Sequence, residues 1–334
     1  MAKTNVHYPT DLSLLWDATR CLITLSLKWS KFFGFAGWRQ SESLLRKVYK
    51  SFQSSRKGKT NKGYNPHRVR MYLERCNKIC QKALRLLDFI EQKRLEIIER
   101  GDSRDCNDVK VLEQLTTAKH EISLFLEYLT LFSDQANRRI LQGQKIPHQE
   151  KVFSIFKPFT RWIVKGKAGI LQELGVPVAV VEDEHQFVLG HGVLWTGTDK
   201  DIAVALIKEI QEKFPEFNLT CSFDRSFYSP EVRDELDQLL ETTAMPAKGH
   251  LNDEELARQN RPEYIEARKG HSGVESCMNN LNHRRMDVIR EVKTEAFSRA
   301  VALSVIAANI HRLGNIVLEQ QRKKQKQQRL RRAA

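Results

Sequence analysis

The stretch LTCSFDRSFYSP, residues 219–230, changes from a strand-like pattern to a turn at a single acid, Asp224. The apolar run before that acid predicts a strand over 218–223, and Ser229 with Pro230 predicts the start of a helix. Strands that alternate with helices build α/β folds, in which ligands gather at the carboxyl ends of the strands. Asp224 is therefore a candidate functional residue.

The same alternation extends on both sides of this stretch. Strands are predicted at 152–156, 176–181, 187–194, 218–223 and 243–246, and helices at 199–214, 229–241, 274–281 and 297–313. Thr198 or Asp199 is the expected cap of the helix over 199–214. This order predicts a mixed or parallel sheet flanked by helices.

The first half of the chain has a different period. Residues 11–50 are typical of one or two helices broken at Gly34 and Gly37, and their many aromatic side chains are expected to pack together. Apolar residues at three- and four-residue spacing then predict two long helices, over 69–97 and 109–140. Gly101-Asp102-Ser103 between them indicates an antiparallel hairpin.

A second acid, Glu275, lies 51 positions after Asp224 in the stretch HSGVES, residues 271–276, which has a helical pattern. Two divalent ions about 3.5–4 Å apart need carboxylates on rigid elements, because the ions orient an attacking oxygen and stabilise a leaving one in phosphodiester chemistry. Asp224 and Glu275 are a pair that can converge on such ions.

At these residues the sequence resembles bacterial insertion-sequence transposases of the DDE type. In that family an aspartate follows a strand as S/A-x-D-x-G/S-F/Y-x-S, and a glutamate follows on a helix as V-E-x-x-I/M-x-x-L. Further segments that resemble the family are TNVHYPTD at 4–11, KVFSIF at 151–156, GKA at 166–168, LGVPV at 174–178, Glu182-Asp183 and HRLG at 311–314.

The resemblance implies a ribonuclease-H-like α/β fold, a mixed sheet flanked by helices with a large all-α insertion. It implies a DNA transposase that hydrolyses a strand at the element end and then uses the freed 3′-hydroxyl to attack target DNA. Asp224 and Glu275 would be catalytic residues and ligands of Mg²⁺ or Mn²⁺. The expected divisions are a segment after the first core strand (1–35), a basic loop with a helical hairpin (36–145), the catalytic core (146–316) and a basic tail (317–334).

The sequence departs from the family at its start. The family carries its first catalytic aspartate in a strand of the form V-D-x-T-V-V-E, and this chain begins with Met1-Ala2-Lys3 where that strand should finish. The expectation is that this strand is missing. Asp11 is the alternative metal ligand, although the preceding Tyr8-Pro9-Thr10 favours a role as cap of a helix that begins at Leu12. The alternative function is an inactive truncated transposase that retains DNA binding or subunit association, and a basic helical scaffold is a third.

Charge favours a polyanionic partner. Among 334 residues, 55 Lys and Arg stand against 41 Asp and Glu, a net charge of +14, which predicts binding to double-stranded DNA. The expected phosphate contacts are Arg56, Lys57, Lys59 and Lys62 in an exposed loop, and Arg225, His271, Arg284 and Arg285 near the acids. The last 15 residues carry seven cations and no acid, which fits either a DNA-holding or a solubilising tail.

Several classes have no support in the sequence. It contains no HExxH, GxSxG, Walker A or dinucleotide motif, and its six cysteines form no CxxC unit, which argues against a disulfide framework or a zinc ribbon. Glu182-Asp183-Glu184-His185 is expected to be a charged hairpin turn, with a metal site as the alternative. No apolar run approaches the roughly 18 residues that span a bilayer, so we expect a cytoplasmic protein without a membrane partner. We also expect the protein to associate with the nucleoid and to form a homo-oligomer.

Overall fold

The computed structural model describes residues 1–6, 8–57, 63–99, 106–167, 170–271 and 273–333. The chain divides into two compact units. Residues 7–158 form one, which we call the helical unit, and residues 1–6 together with 159–334 form the other, which we call the mixed unit.

The helical unit is built from four helices. They are α1 (Asp11–Phe33), α2 (Ser41–Arg56), α3 (Pro66–Glu99) and α4 (Cys106–Ala136), and α4 continues into a π turn at Asn137–Leu141. The N-cap of α1 is Thr10, which exchanges hydrogen bonds with Ser13 in a capping box, so Asp11 is the first helical residue and not the cap. Gly34 ends α1 in the left-handed conformation with φ of 71°.

One connected core holds these helices together. Most of the apolar positions that predict the two long helices are buried in α3 and α4, where Tyr72, Leu86 and Phe132 are fully enclosed, but Val109 is 44% exposed. Aromatic packing in α1 is confirmed where the Trp29 and Phe33 rings stack with centroids 5.7 Å apart. Gly101-Asp102-Ser103 lies outside the described residues.

The strand predicted at 152–156 is wrong. These residues have no ladder partner, and the Ser154 hydroxyl instead accepts hydrogen bonds from the backbone N–H groups of Phe156 and Lys157. Ile155 packs into the helical core. The apolar run is therefore a turn anchored by one buried side chain.

The mixed unit alternates short strands with helices. Its strands are β1 (Ala2–Thr4), β2 (Arg161–Lys167), β3 (Ile170–Val176), β4 (Val178–Glu182), β5 (Val188–Val193), β6 (Thr220–Ser222), β7 (Thr242–Ala244) and β8 (Val288–Ile289). Its helices are α5 (Asp199–Lys213), α6 (Pro230–Leu239), α7 (Asp253–Gln259), α8 (Pro262–Gly270), α9 (Gly273–Leu281) and α10 (Thr294–Ala333). The predicted caps are confirmed, since Thr198 forms a capping box at α5 and Ser229 accepts from Val232 at α6.

The strands form three small sheets in the described part of the chain. Four strands follow the order β2-β3-β1-β8, in which β1 is antiparallel to β3 and parallel to β8. Strands β4 and β5 form an antiparallel hairpin, and β6 lies parallel to β7. The single strand predicted at 176–181 is split at Pro177, which has no N–H to donate. The fold is thus mixed α/β with small sheets.

Close backbone approach fixes the position of β1. A Cβ atom at Gly175 would overlap the carbonyl oxygen of Ala2, so only glycine lets β3 pair with β1 at this point. Ala2 is completely buried, and Thr160 donates a hydrogen bond to Thr4 at 3.1 Å. The first residues of the chain are therefore an interior strand of the mixed unit.

Helix α10 is the longest element of this unit. Phe297, Val301, Val305 and Ala308 on one of its faces are buried, and the helix continues through the basic tail. In the described residues it is the one helix with an 18-residue window, of mean hydropathy 1.5, long and apolar enough to cross a bilayer by composition alone. One such helix is weak evidence for a membrane span, because core helices of soluble proteins reach the same level.

Candidate functional site

Asp224 lies just beyond the carboxyl ends of two parallel strands. Strand β6 ends at Ser222, and the N–H of the buried Phe223 donates to the Ala244 carbonyl at the end of β7, at 3.0 Å. Asp224 then begins a short 3₁₀ turn, Arg225–Phe227, with its side chain exposed. This is the strand end at which the sequence predicts it.

Arg268 ties helix α8 to the same strand end. Its Nη1 donates to the Ser222 hydroxyl at 3.0 Å and to the Phe223 carbonyl at 2.8 Å. A guanidinium is thereby fixed one residue from Asp224, where it adds positive charge beside the acid. The sequence indicates Arg268 as one of the cations near Glu275, but its contact with the end of β6 depends on tertiary packing.

His271 caps the carboxyl end of α8 and lies within electrostatic range of Asp224. Burial and the positive charge of Arg268 lower the pKa of His271, and the Asp224 carboxylate and the Ser222 backbone offset only part of that shift. The direction of this pKa shift favours the neutral imidazole. A neutral ring can accept a hydrogen bond or a proton, whereas a protonated ring could do neither.

Glu275 lies in the first turn of α9, which begins directly after this junction. The N–H of Val274 donates to the His271 carbonyl at 3.1 Å, and the Glu275 side chain is exposed. A carboxylate in the first turn of a helix is stabilised by the helix dipole. The two predicted acids are thus connected through Arg268 and His271, which contact the end of β6 and precede α9.

Glu182 also faces α9, which the sequence does not predict. It is the last residue of β4, and its carboxyl group hydrogen-bonds the Cys277 thiol. Burial raises the pKa of Glu182, while burial and the neighbouring Glu182 raise the pKa of Cys277 to about 12. The residues that follow form the predicted hairpin turn, in which the Asp183 carboxylate accepts from the N–H groups of His185 and Phe187.

Asp11, the alternative ligand, lies in the helical unit. Its carboxylate is 2.8 Å from Nε of Arg139, and at 7% exposure it is nearly buried. Burial raises the pKa of Asp11, and the charges of Arg139 and Lys151 partly offset the increase. Its charge is balanced by Arg139, which gives Asp11 a structural role.

A metal site is not complete in the part of the chain that the structure describes. No group of three or more His, Cys, Asp or Glu side chains is arranged there to hold an ion. Asp224 and Glu275 are both solvent-exposed, and neither has a second carboxylate as hydrogen-bonding neighbour. The residues present do not by themselves fit a Mg²⁺ centre, so the requirement for Mg²⁺ or Mn²⁺ stays a prediction.

A cavity of about 640 Å³ opens at the carboxyl ends of the parallel strands β1 and β8. Three arginines line it, Arg284, Arg285 and Arg290, against two acids, Asp287 and Glu291. Its net charge is therefore positive, 3 − 2 = +1, and its other lining residues include Asn5, Ile289 and Ser304. Two of the predicted phosphate contacts, Arg284 and Arg285, lie together in this cavity.

The remaining predicted contacts lie elsewhere. Arg225 is exposed in the turn after Asp224. Arg56 is the last residue of α2 with its guanidinium 5.4 Å from the Phe52 ring centroid, and Lys57 is exposed at the C-cap. Lys59 and Lys62 lie outside the described residues.

Comparison of the chain with protein-family models, curated proteins and solved structures gives no match.

Proposed function

We propose that this protein is a DNA transposase of the DDE type that binds insertion-sequence ends and acts on their phosphodiester bonds through Asp224 and Glu275. The observation that carries the proposal is the arrangement at the end of β6. An exposed aspartate follows a parallel strand, and an arginine and a histidine connect that strand end to the helix bearing the exposed glutamate.

The mixed unit supports the finer proposal of a ribonuclease-H-like core. Strand β1 lies inside the four-stranded sheet between an antiparallel and a parallel neighbour. The family resemblance assigns Met1-Ala2-Lys3 to the end of a central strand that carries the first catalytic aspartate. An interior strand at Ala2–Thr4 agrees with that assignment.

Positive charge around the two strand ends supports DNA as the partner. Arg225 and Arg268 lie at the β6 end, and Arg284, Arg285 and Arg290 line the cavity beyond β1 and β8. Guanidinium groups bind phosphate oxygens in pairs of hydrogen bonds, and each neutralised phosphate releases counterions. These arginine side chains can hold a DNA backbone. Asp224 and Glu275 would be the carboxylates beside the reacting phosphodiester.

The alternative, a protein that binds DNA without cutting it, is favoured by one observation. The described residues contain no group of three or more His, Cys, Asp or Glu side chains that could hold a metal ion. Such a protein would keep the arginine-lined cavity and lose the chemistry. Binding and cleavage therefore need separate measurements.

Binding is tested with a fluorescent duplex at several salt concentrations. Replacing Arg284 and Arg285 by alanine together should weaken binding and reduce the salt slope by about one per arginine removed. Lys110→Ala removes an exposed cation from α4 and should leave the slope unchanged. An unchanged slope in the double variant would assign the DNA contacts elsewhere.

Cleavage is tested with a supercoiled plasmid that carries the gene and the DNA on both sides of it, in Mg²⁺ or Mn²⁺. If the protein nicks this plasmid, Asp224→Asn and Glu275→Gln should each slow nicking by about 100-fold or more, while DNA binding persists. Glu212→Gln, an exposed helical glutamate of the same unit, is the control. Binding without nicking supports the alternative, and nicking that survives both substitutions rules out the catalytic assignment.

A further inference from the structure

Helix α10 exposes a row of aliphatic side chains on the face opposite to the one that packs in the mixed unit. The row consists of Leu303, Ile306, Ile310, Leu313 and Val317, with between 44% and 65% of each residue exposed. We call these five residues the α10 stripe. Large aliphatic side chains in an unbroken row mark a contact surface, whereas single ones do not.

The spacing of the stripe is that of a helix-pairing seam. The intervals between its members are three, four, three and four residues, the a and d pattern that supports coiled-coil packing. Small residues flank it, with Ala307 and Gly314 beside its middle, so a second helix can approach closely. The stripe is about 21 Å long, since 14 residues rise about 1.5 Å each.

The opposite face of α10 is committed to the fold. Val188 and Asn309 exchange two hydrogen bonds of 2.9 Å, and the Ser304 hydroxyl donates to the Arg284 carbonyl. Arg312 donates to the His185 carbonyl at 2.8 Å. A helix fixed in this way presents only the stripe to a partner, which disfavours insertion across a bilayer.

We infer that the α10 stripe is the interface between two copies of this chain, paired as antiparallel helices. A heptad stripe is complementary to itself, and symmetric pairing lets one patch cover its own copy. The stripe extends beyond the proposed function, because only Leu303 of its five residues lines the arginine cavity, whereas Ile306 and Ile310 do not.

Charge decides the direction of the pair. In a parallel pair the two basic tails, each with seven cations in residues 320–334, would lie side by side about 10 Å apart. In an antiparallel pair centred near Ile310, tail residues about 16 positions from the centre lie about 48 Å apart, several Debye lengths. Each tail then runs beside the partner's residues 290–299, where the exposed Glu291 and Glu295 are offset by Arg290, Lys293 and Arg299. The antiparallel pair is therefore favoured because it separates the two basic tails, and not because it adds an attraction.

The oligomeric state of the full chain tests this inference by sedimentation across a concentration series. We expect a dimer with a dissociation constant on the order of micromolar, since two heptads make a short seam. Ile306→Glu and, separately, Ile310→Glu should weaken dimerisation by 100-fold or more, while far-UV circular dichroism stays native. Ile98→Glu is the matched control, because Ile98 is a helical isoleucine of the other unit at 47% exposure against 52% for Ile306.

Direction is tested by cysteine crosslinking, with the unsubstituted chain as the background. Val317→Cys alone should not link to its own copy, because its two copies lie about 21 Å apart in the antiparallel pair and a disulfide needs Cα atoms within about 7 Å. A mixture of Leu303→Cys and Val317→Cys chains should link. Self-linking of Val317→Cys would overturn the antiparallel assignment.

Three results would overturn the interface itself. They are a chain that stays monomeric throughout the series, a dimer that Ile306→Glu and Ile310→Glu do not weaken, and stripe-dependent binding of the monomer to phosphatidylserine vesicles. The last result would make the stripe a membrane-surface contact.

Discussion

The two units bury their apolar residues in different ways. The helical unit has one connected core, to which all four helices contribute fully enclosed side chains or close partners. The apolar residues of the mixed unit form three separate clusters in the described part of the chain, around Phe297, Leu236 and Leu206. The residues with candidate chemistry, Asp224, His271 and Glu275, all belong to the mixed unit.

This difference indicates where stability and function reside. A continuous core gains from every packed neighbour, and small sheets with separate clusters depend more on individual hydrogen bonds and ion pairs. Strand ends and helix junctions leave side chains open to solvent, and the exposed acids and cations of the mixed unit lie at such places. Substitutions matched across the two units test this difference.

The largest effects should come from one phenylalanine in each unit. Phe132 and Phe297 are both fully buried, so Phe132→Ala and Phe297→Ala should each lower the free energy of unfolding by about 3–5 kcal/mol. Hydrogen exchange locates the loss. Phe132→Ala should reduce amide protection across α1, α3 and α4 together, whereas Phe297→Ala should reduce it in α10 and the strands of its own cluster.

Phe32→Ala is the control for both variants, because Phe32 is 54% exposed and its loss should cost under about 1 kcal/mol. A Phe132→Ala protein whose protection falls only next to residue 132 would contradict a single connected core in the helical unit.

The long helices could be predicted from the sequence because their pattern is redundant. In α3, seven buried positions from Val69 to Ile90 keep three- and four-residue spacing, so no single position decides the outcome. The helix caps at Thr198 and Ser229 could also be predicted, because a cap depends only on a few neighbouring residues.

The shortest strands could not be predicted, because a strand of two or three residues is defined by its partners. Ala2–Thr4 and Val288–Ile289 are strands only through their pairing with each other and with β3. At the candidate site the position of Asp224 followed from the pattern around it. The contact of Arg268 with Phe223, 45 positions away, depends on how α8 packs and left no local signal.

A partly buried ion pair of the mixed unit should have an intermediate effect. Arg258 of α7 makes two hydrogen bonds, of 2.7 and 2.6 Å, to Asp237 of α6, and a third to the Thr243 carbonyl of β7. Burial favours the neutral acid, but hydrogen bonds from Arg258 and Thr243 outweigh it and lower the pKa of Asp237. Asp237→Asn should therefore cost about 1–2 kcal/mol near pH 7, reduced from the fully buried value because Asp237 retains solvent contact.

The contribution of Asp237 to the free energy of unfolding should fall as the solution becomes acidic. Because the pKa of Asp237 is lower in the folded protein, the stabilisation is complete above the unfolded value of about 3.9 and is lost as the pH falls through the folded value. Chemical denaturation of both proteins between pH 7 and pH 3 measures it. Asp234→Asn, an exposed acid of the same helix, is the control, and an equal cost for both variants would show that the bonds between helices contribute nothing.

The smallest effect should come from an exposed ion cluster of the helical unit. Glu91 of α3 accepts from Arg94 of the same helix and lies 2.9 Å from Nζ of Lys119 on α4. Hydrogen bonds from Arg94 and Lys119 lower the pKa of Glu91 to about 2. The stabilisation that the Glu91 carboxylate gives is complete above the ordinary pKa of 4.5 and is lost as the pH falls towards 2. Salt screens this stabilisation because the group is exposed.

Glu91→Gln should lower the melting temperature by less than Asp237→Asn does. In 1 M salt the melting temperatures of Glu91→Gln and the unsubstituted protein should be equal, and Glu96→Gln on the same helix should change nothing. Carboxyl NMR titration measures the pKa directly. A Glu91 that titrates near 4.5 would show that its contact with Lys119 does not join α3 to α4 in solution.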